Sequence, residues 1–167
     1  MKDVVTKLLG EEALEQELRH HRDSGRIIFF VSGAFDLLHV GHIRMLQAAA
    51  DLGDVLVVAV NSDTSVRKTK GPQRPFMSEY ERAEIIAALN CVQYVIIENQ
   101  TVALLLRKLR PHIHAKGRDY SEETSPEAKV DRELSIKMAF VGDEKMHSSS
   151  ELAARIASIV NSTLVRL

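Results

Sequence analysis

The chain reads as an α/β protein in three layers, a parallel sheet of five strands with helices on both faces. Three observations carry that reading. Continuous apolar runs of strand length, rich in β-branched and aromatic residues, stand at 27–31, 55–60 and 92–97, the pattern of strands buried on both faces. Stretches with apolar residues at helical spacing separate them. Two helix starts carry a capping box, Ser78 with Glu81 and Ser148 with Glu151, in which the serine oxygen and the glutamate satisfy amides of the first turn reciprocally. Buried strands alternating with amphipathic helices imply parallel pairing, because each strand must be re-entered from the same end.

In chain order, residues 1–24 form a polar, helix-prone leader with Val5, Leu8, Leu9, Leu14 and Leu18 as an irregular apolar stripe. Gly25 punctuates it, and the domain proper is expected over 25–167. The first strand, 27–31, runs into Ser32-Gly33-Ala34-Phe35-Asp36, and Ile43, Leu46 and Ala50 then recur at helical spacing. After the second strand, residues 62–78 are polar and basic with Gly71, Pro72 and Pro75, and are expected to be a loop. Ala83, Ile86 and Ala87 mark the helix that Ser78 opens. The third strand leads to Val102, Leu105, Leu106 and Leu109, a helical pattern stopped by Pro111. Weaker strand signals lie at 112–115 and 137–141. Between them, 117–135 is charged, contains Pro126 and shows little periodicity, so a second long loop is expected. Loops of that length are usually functional or mobile. Leu152, Ile156, Ile159 and Val160 close the chain with a last helix. This order is that of a Rossmann-like three-layer sandwich, where ligands bind at the carboxyl ends of the strands.

Composition excludes several classes of function. The 167 residues suffice for one domain with a sizeable core. A net charge of -1 gives no basic footprint for nucleic acid. The apolar runs are far shorter than a bilayer span, and the first twenty residues lack a secretory pattern. Cys91 is the only cysteine, which rules out an intrachain disulfide and fits a reducing, cytoplasmic setting; its apolar surroundings make it a core residue rather than a nucleophile. His112 and His114 alternate on a strand and His20 and His21 are neighbours on a helix, so no metal cluster is expected. The leader's leucines suggest a homodimer.

The sharpest chemical signal is His39-Val40-Gly41-His42, directly after a buried strand and at the start of a helix. Imidazoles three residues apart can face one way in a first turn. Gly41 removes a side chain there, and the helix start adds free amides and a positive dipole end, which suit phosphate. A pair of surface or capping histidines is the bland alternative, and the strand-to-helix context weighs against it. Arg67, Lys68, Lys70 and Arg74 could neutralise further phosphate charge, although a solvated basic face would look the same in isolation.

The run Gly33-Ala34-Phe35-Asp36-Leu37-Leu38-His39-Val40-Gly41-His42 resembles the signature of the cytidylyltransferase-like nucleotidyltransferases, and the resemblance extends over about residues 27–160. Within that superfamily the chain is most similar to the heptose-1-phosphate adenylyltransferases, through Ala59-Val60-Asn61-Ser62-Asp63, Lys70-Gly71-Pro72-Gln73-Arg74-Pro75 and Lys116-Gly117-Arg118-Asp119-Tyr120. The resemblance implies transfer of AMP from ATP to a sugar 1-phosphate, with Mg²⁺ arriving on the triphosphate. It makes His39, His42 and Lys70 catalytic. It assigns Gly33, Ala34, Phe35, Gly41, Asn61, Asp63, Arg82, Lys116, Gly117, Asp119 and Ser148, Ser149 and Ser150 to the nucleotide. Asp36, Arg67, Lys68 and Arg74 are left for the phosphorylated substrate.

Departures from the pattern are His147, where a small or apolar residue is usual, three serines in place of a Ser-Thr mixture, and Asp143-Glu144-Lys145 without the arginine of glycerol-phosphate cytidylyltransferases. A CTP-dependent enzyme acting on glycerol phosphate or another polyol phosphate is the alternative, and a nucleotide-sensing protein without turnover is the reading from another class. At this chain length a sugar kinase partner is expected to be a separate protein.

Overall fold

A computed structural model of the chain describes residues 4–143 and 147–164. Its sheet contains β1 (Ile28–Gly33), β2 (Val55–Asn61), β3 (Tyr94–Glu98), β4 (Ile113–Gly117) and β5 (Lys137–Val141). The order is β3-β2-β1-β4-β5 and every pairing is parallel. The three strong apolar runs are therefore the three adjacent strands at one side of the sheet, and β1 and β2 are flanked by strands on both sides. The weaker signals became β4 and β5.

Alternation along each strand feeds two cores. Phe29, Val31, Leu56 and Val58 point to one face, against Leu46 and Ala49 of α3 (Val40–Ala50) and Ala83 and Ile86 of α5 (Glu79–Ala87). Ile28, Phe30, Val55 and Val57 point to the other, against Leu14 and Leu18 of α2 (Glu11–Asp23) and Leu105, Leu106 and Leu109 of α6 (Val102–Leu109). Truncating one such fully buried leucine to alanine costs about 2–5 kcal/mol.

The leader shares this core. After α1 (Val4–Lys7), Leu8 forms a parallel bridge with Val95 and the Leu9 amide donates to the Val95 carbonyl at 3.0 Å. That contact covers part of the edge of β3, which would otherwise offer unpaired groups. On α2, Glu17 accepts a hydrogen bond from the Tyr94 hydroxyl at 2.8 Å, and burial together with Glu17 pushes Tyr94 up to about 12. Arg22 donates to the Leu109 carbonyl at 2.7 Å, capping α6. Leu14 and Leu18 are buried within the chain itself, so they are not the free apolar face on which the homodimer expectation rested.

Two expected loops contain helices. Within 62–78 lies α4 (Asp63–Lys70), because Ser62 caps it through its Oγ, which accepts from the Ser65 amide at 3.2 Å, and Val66 anchors it in the core. Within 117–135 lies α7 (Ala128–Glu133), tied down by Ala128 and by Asp131, whose carboxylate meets His114 Nδ1 of β4 at 2.9 Å with both side chains fully enclosed. The last helix is α8 (Ser149–Leu164). Among the described residues, no helix is long and apolar enough to cross a membrane.

Candidate active site

The carboxyl ends of all five strands open on one cleft of about 700 Å³. Its position follows from register. The β1–β4 pairing stops at Val31 opposite Ala115, whereas β1–β2 continues to Gly33 and β4–β5 to Gly117. The sheet parts between β1 and β4, where the strand order reverses direction, and a crevice forms at that switch point.

The turn after β1 shapes the cleft floor. Phe35 and Leu37 have positive φ, 48° and 52°, a conformation that costs a non-glycine residue on the order of 1–3 kcal/mol. Between them Asp36 is completely buried, and its carboxylate compensates by accepting from the amides of Phe76 at 2.9 Å and Met77 at 3.3 Å and from Arg74 Nε at 2.7 Å. The chain then enters α3 with His39 in the N-cap position. The His39 and His42 rings stack, with centroids 3.8 Å apart and planes at 22°. A Cβ on Gly41 would lie 3.1 Å from the His39 ring, so the glycine makes room for that ring.

The electrostatics of the pair follow from this geometry. His42 Nδ1 accepts from the His39 backbone amide at 3.3 Å, which leaves the proton of neutral His42 on Nε2. Burial, then His39 and Lys70, pull His42 down to about 4. Burial, then His147 and Lys70, also lower His39, whose buried Nδ1 has no hydrogen-bond partner among the described residues. Both rings are therefore neutral near pH 7 and can act as hydrogen-bond donors. Lys70, the last residue of α4, brings its charge to the same place. On the far wall, Ser148 Oγ accepts from the Glu151 amide at 3.1 Å, and Ser149 Oγ donates to the Leu37 carbonyl at 3.5 Å. Two helix N-termini, those of α3 and α8, thus face one cavity, an arrangement suited to several phosphates.

A family model described as cytidylyltransferase-like matches residues 30–163. The chain belongs to the cytidylyltransferase-like family. Within it the chain is a nucleotidyltransferase domain. The bifunctional protein HldE of Syntrophotalea carbinolica is 48% identical over 120 residues, which cover 71% of this chain and 24% of that protein. HldE of Helicobacter pylori strain Shi470 is 40% identical over 156 residues, 93% of this chain and 32% of that protein. The chain thus spans between about a quarter and about a third of the length of these curated relatives. Among solved structures, the lipopolysaccharide core biosynthesis protein from Thermoplasma volcanium GSS1 superposes with a TM-score of 0.63 at 27% identity, over 72% of this chain and all of that one.

In this cytidylyltransferase-like domain, His39, His42, Lys70, Gly33, Ala34, Phe35, Gly41, Asn61, Lys116, Gly117, Asp119 and Ser148–Ser150 all line the cleft. Six expected site residues do not. Asp36 and Arg74 hold each other in the interior, and no substrate reaches a carboxylate with zero exposure. Arg82 is equally enclosed. Its guanidinium binds Asp63 Oδ1 at 2.7 Å, the Met77 carbonyl at 3.0 Å and the Ala34 carbonyl, so it locks the β1 turn to α4 and to the start of α5. Arg67 sits 3.9 Å from Asp63, and Lys68 is exposed. None of these side chains lines the cavity, although Lys68 stands close enough to favour the charged form of Glu98.

Gly117 lines the cleft beside Asp119, whose Oδ1 would be 2.6 Å from an added Cβ, so no side chain fits at that position. Glu144 and Lys145 lie outside the described residues. Sequence reasoning did not single out Glu98 or Glu127, which also line the cleft, as does Tyr120 at the end of the 116–120 run. Glu127 pairs with Lys116, and Lys116 Nζ lies 4.6 Å over the Tyr120 ring. The available signal was position, since Glu98 directly follows the third apolar run. His147, noted as a departure, lines the cleft with its ring 6.3 Å from that of His39.

Proposed function

We propose that this domain transfers AMP from ATP to a sugar 1-phosphate, releasing pyrophosphate, with a heptose 1-phosphate as the foremost acceptor. The observation that carries the transfer chemistry is the convergence of the stacked His39–His42 pair, Lys70 and the α3 and α8 N-termini on one cleft. The nucleotide and sugar rest on the resemblance to the heptose adenylyltransferases and on the polysaccharide-related name of the Thermoplasma protein.

A phosphate monoester has its second pKa at about 6, so the acceptor oxygen is an anion near neutral pH and needs no general base. It attacks the α-phosphorus in line, the α–β bridging P–O bond breaks, and pyrophosphate leaves with that electron pair. What the protein must supply is orientation and charge compensation. The Nε2–H of His42 donates to the α-phosphate as charge builds there, His39 donates beside it, and Lys70 and the α8 amides hold the leaving phosphates. Mg²⁺ belongs to the nucleotide substrate, which keeps it through its own oxygens and water.

The test is a pyrophosphate-release screen of ATP and CTP against sugar 1-phosphates and polyol phosphates. Turnover with ATP and a sugar 1-phosphate is expected. A clear CTP preference with a polyol phosphate would replace the adenylyl assignment by the cytidylyl one.

A further inference from the structure

We propose that Asn61 and Glu98 form the subsite that reads the hydroxyl groups of the phosphorylated acceptor, an inference that rests on the nucleotidyl-transfer reading above. The two residues end neighbouring strands, β2 and β3, and stand opposite each other in register at the cleft. Asn61 Nδ2 donates to Glu98 Oε2 at 2.9 Å. A carboxylate only accepts, so Asn61 turns its nitrogen toward it and keeps its carbonyl oxygen for another donor. Glu98 is 2% exposed, and among the described residues its second oxygen, Oε1, is buried with no partner at ordinary hydrogen-bond geometry, the Ser65 side chain being the one other group that acts on this carboxylate through a hydrogen bond. An acceptor left unmet in this way costs free energy that a ligand hydroxyl would return. Burial also pushes the Glu98 carboxyl above its ordinary value.

The surroundings say which part of a substrate belongs there. Ser65 and Thr69 from α4 and Gln100 and Thr101 after β3 line the same wall; Thr69 donates to the Ser65 and Val66 carbonyls and Thr101 caps α6, so the wall around Asn61 and Glu98 is polar and uncharged. A carboxylate repels phosphate, so this wall receives the uncharged part of a substrate. The β4–β5 side differs in kind. There Gly117 and Val141 stand beside Lys116, Arg118, Asp119, Glu127 and the Tyr120 ring, cations and an aromatic face suited to a nucleotide. The histidines stand at the end of β1, between the two sides. The acceptor polyol therefore approaches over β2 and β3, the nucleotide lies over β4 and β5, and their phosphates meet at His39 and His42. Asn61 contacts the acceptor, and Glu98 is a positioning residue as well as a hydroxyl acceptor.

The experiment measures KM for acceptor and for nucleotide separately in the wild type, Asn61→Ala, Glu98→Ala and Glu98→Gln, using whichever phosphorylated sugar or polyol the wild type turns over. Asn61→Ala and Glu98→Ala should raise the acceptor KM by about tenfold or more and leave the nucleotide KM within about twofold, as expected when a site built for hydroxyls loses a partner. Glu98→Gln still accepts from Asn61 and should recover most of the loss. The loss should shrink against an acceptor lacking the hydroxyl that is read.

An unchanged acceptor KM, or both KM values rising together with a lowered melting temperature, would overturn the proposal in favour of a structural pair. A rise in nucleotide KM that disappears with the 2′-deoxynucleotide would reassign the pair to the ribose. If Glu98→Ala does not fold, Glu98→Gln and Asn61→Ala carry the same comparison. Failure of the underlying reading looks different: the wild type would then turn over no phosphorylated polyol at all, and the subsite would have no ligand.

Discussion

The turn at 33–42 and the segment at 62–78 both cluster polar and basic residues beside the same strand ends, yet they use them in opposite ways. In 33–42 the histidines keep unused hydrogen-bonding capacity: among the described residues His39 Nδ1 has no partner, and His42 accepts from the backbone through its Nδ1. In 62–78 the charges are largely committed to the protein. Arg74 holds Asp36, Asp63 holds Arg82, and the Asp63 amide donates to Glu79 at 2.7 Å. A charge committed to another charge in the interior is part of the frame. A neutral donor at a helix start, with its Nε2–H left over, is available to a ligand. Lys70, at the end of α4, lines the cleft beside the histidines.

Breaking the frame should cost the most. Asp36→Ala leaves Arg74 and two amides without their acceptor, and Arg82→Met frees Asp63 and two carbonyls. Each should lower unfolding free energy by about 3–5 kcal/mol, the usual penalty for halving a buried ion pair, as read from urea denaturation. Residual activity per folded molecule should change far less than stability does.

The histidines should show the reverse. His39→Ala and His42→Ala should each reduce turnover by about 10²–10³-fold, the scale for losing one preorganised donor to transition-state charge, while the urea midpoint stays near that of the wild type. Equal turnover in both variants would place the chemistry elsewhere.

Acid should separate the regions next, with a smaller effect. His42 is held near 4 in the folded chain against 6.5 as its ordinary value, so the unfolded chain takes up the proton first as pH falls. The stability this residue supports is complete above about 6.5 and is lost as pH drops toward 4, on the order of 1–2 kcal/mol by pH 5. Comparing the wild type with His42→Gln across that window isolates the contribution, and the variant should show the shallower acid limb.

How much of this could be read in advance divides along the same line. The three buried strands were legible because burial on both faces leaves a continuous apolar run, and the His39–His42 turn because its spacing and its place between strand and helix are local facts. β4 and β5 gave weaker signals because His112, His114, Lys116 and Lys137 interrupt them. α4 was invisible because Val66 is its single buried residue, and α7 because it spans six residues. The frame residues could not be told from cleft residues in the sequence, for a physical reason. A charged side chain in a sequence looks ready for solvent or ligand, and only tertiary contact shows that Asp36 meets Arg74 thirty-eight positions away or that Arg82 meets Asp63 nineteen away. Glu98 escaped notice because one glutamate at a strand end looks like any polar terminator, and its meaning depends on Asn61 across the register.

The central claim is that His39 and His42 present neutral donors to the phosphates of a nucleotide bound in the cleft. The most direct measurement is a ¹⁵N NMR titration of the imidazole nitrogens with Mg²⁺ and a non-hydrolysable ATP analogue. In the free protein at pH 7, His42 should show the proton on Nε2, and the Nε2 signals of both residues should shift on saturation while the Arg82 guanidinium signals stay in place. Binding of the analogue with both imidazoles unmoved, or a His42 proton on Nδ1, would contradict the account.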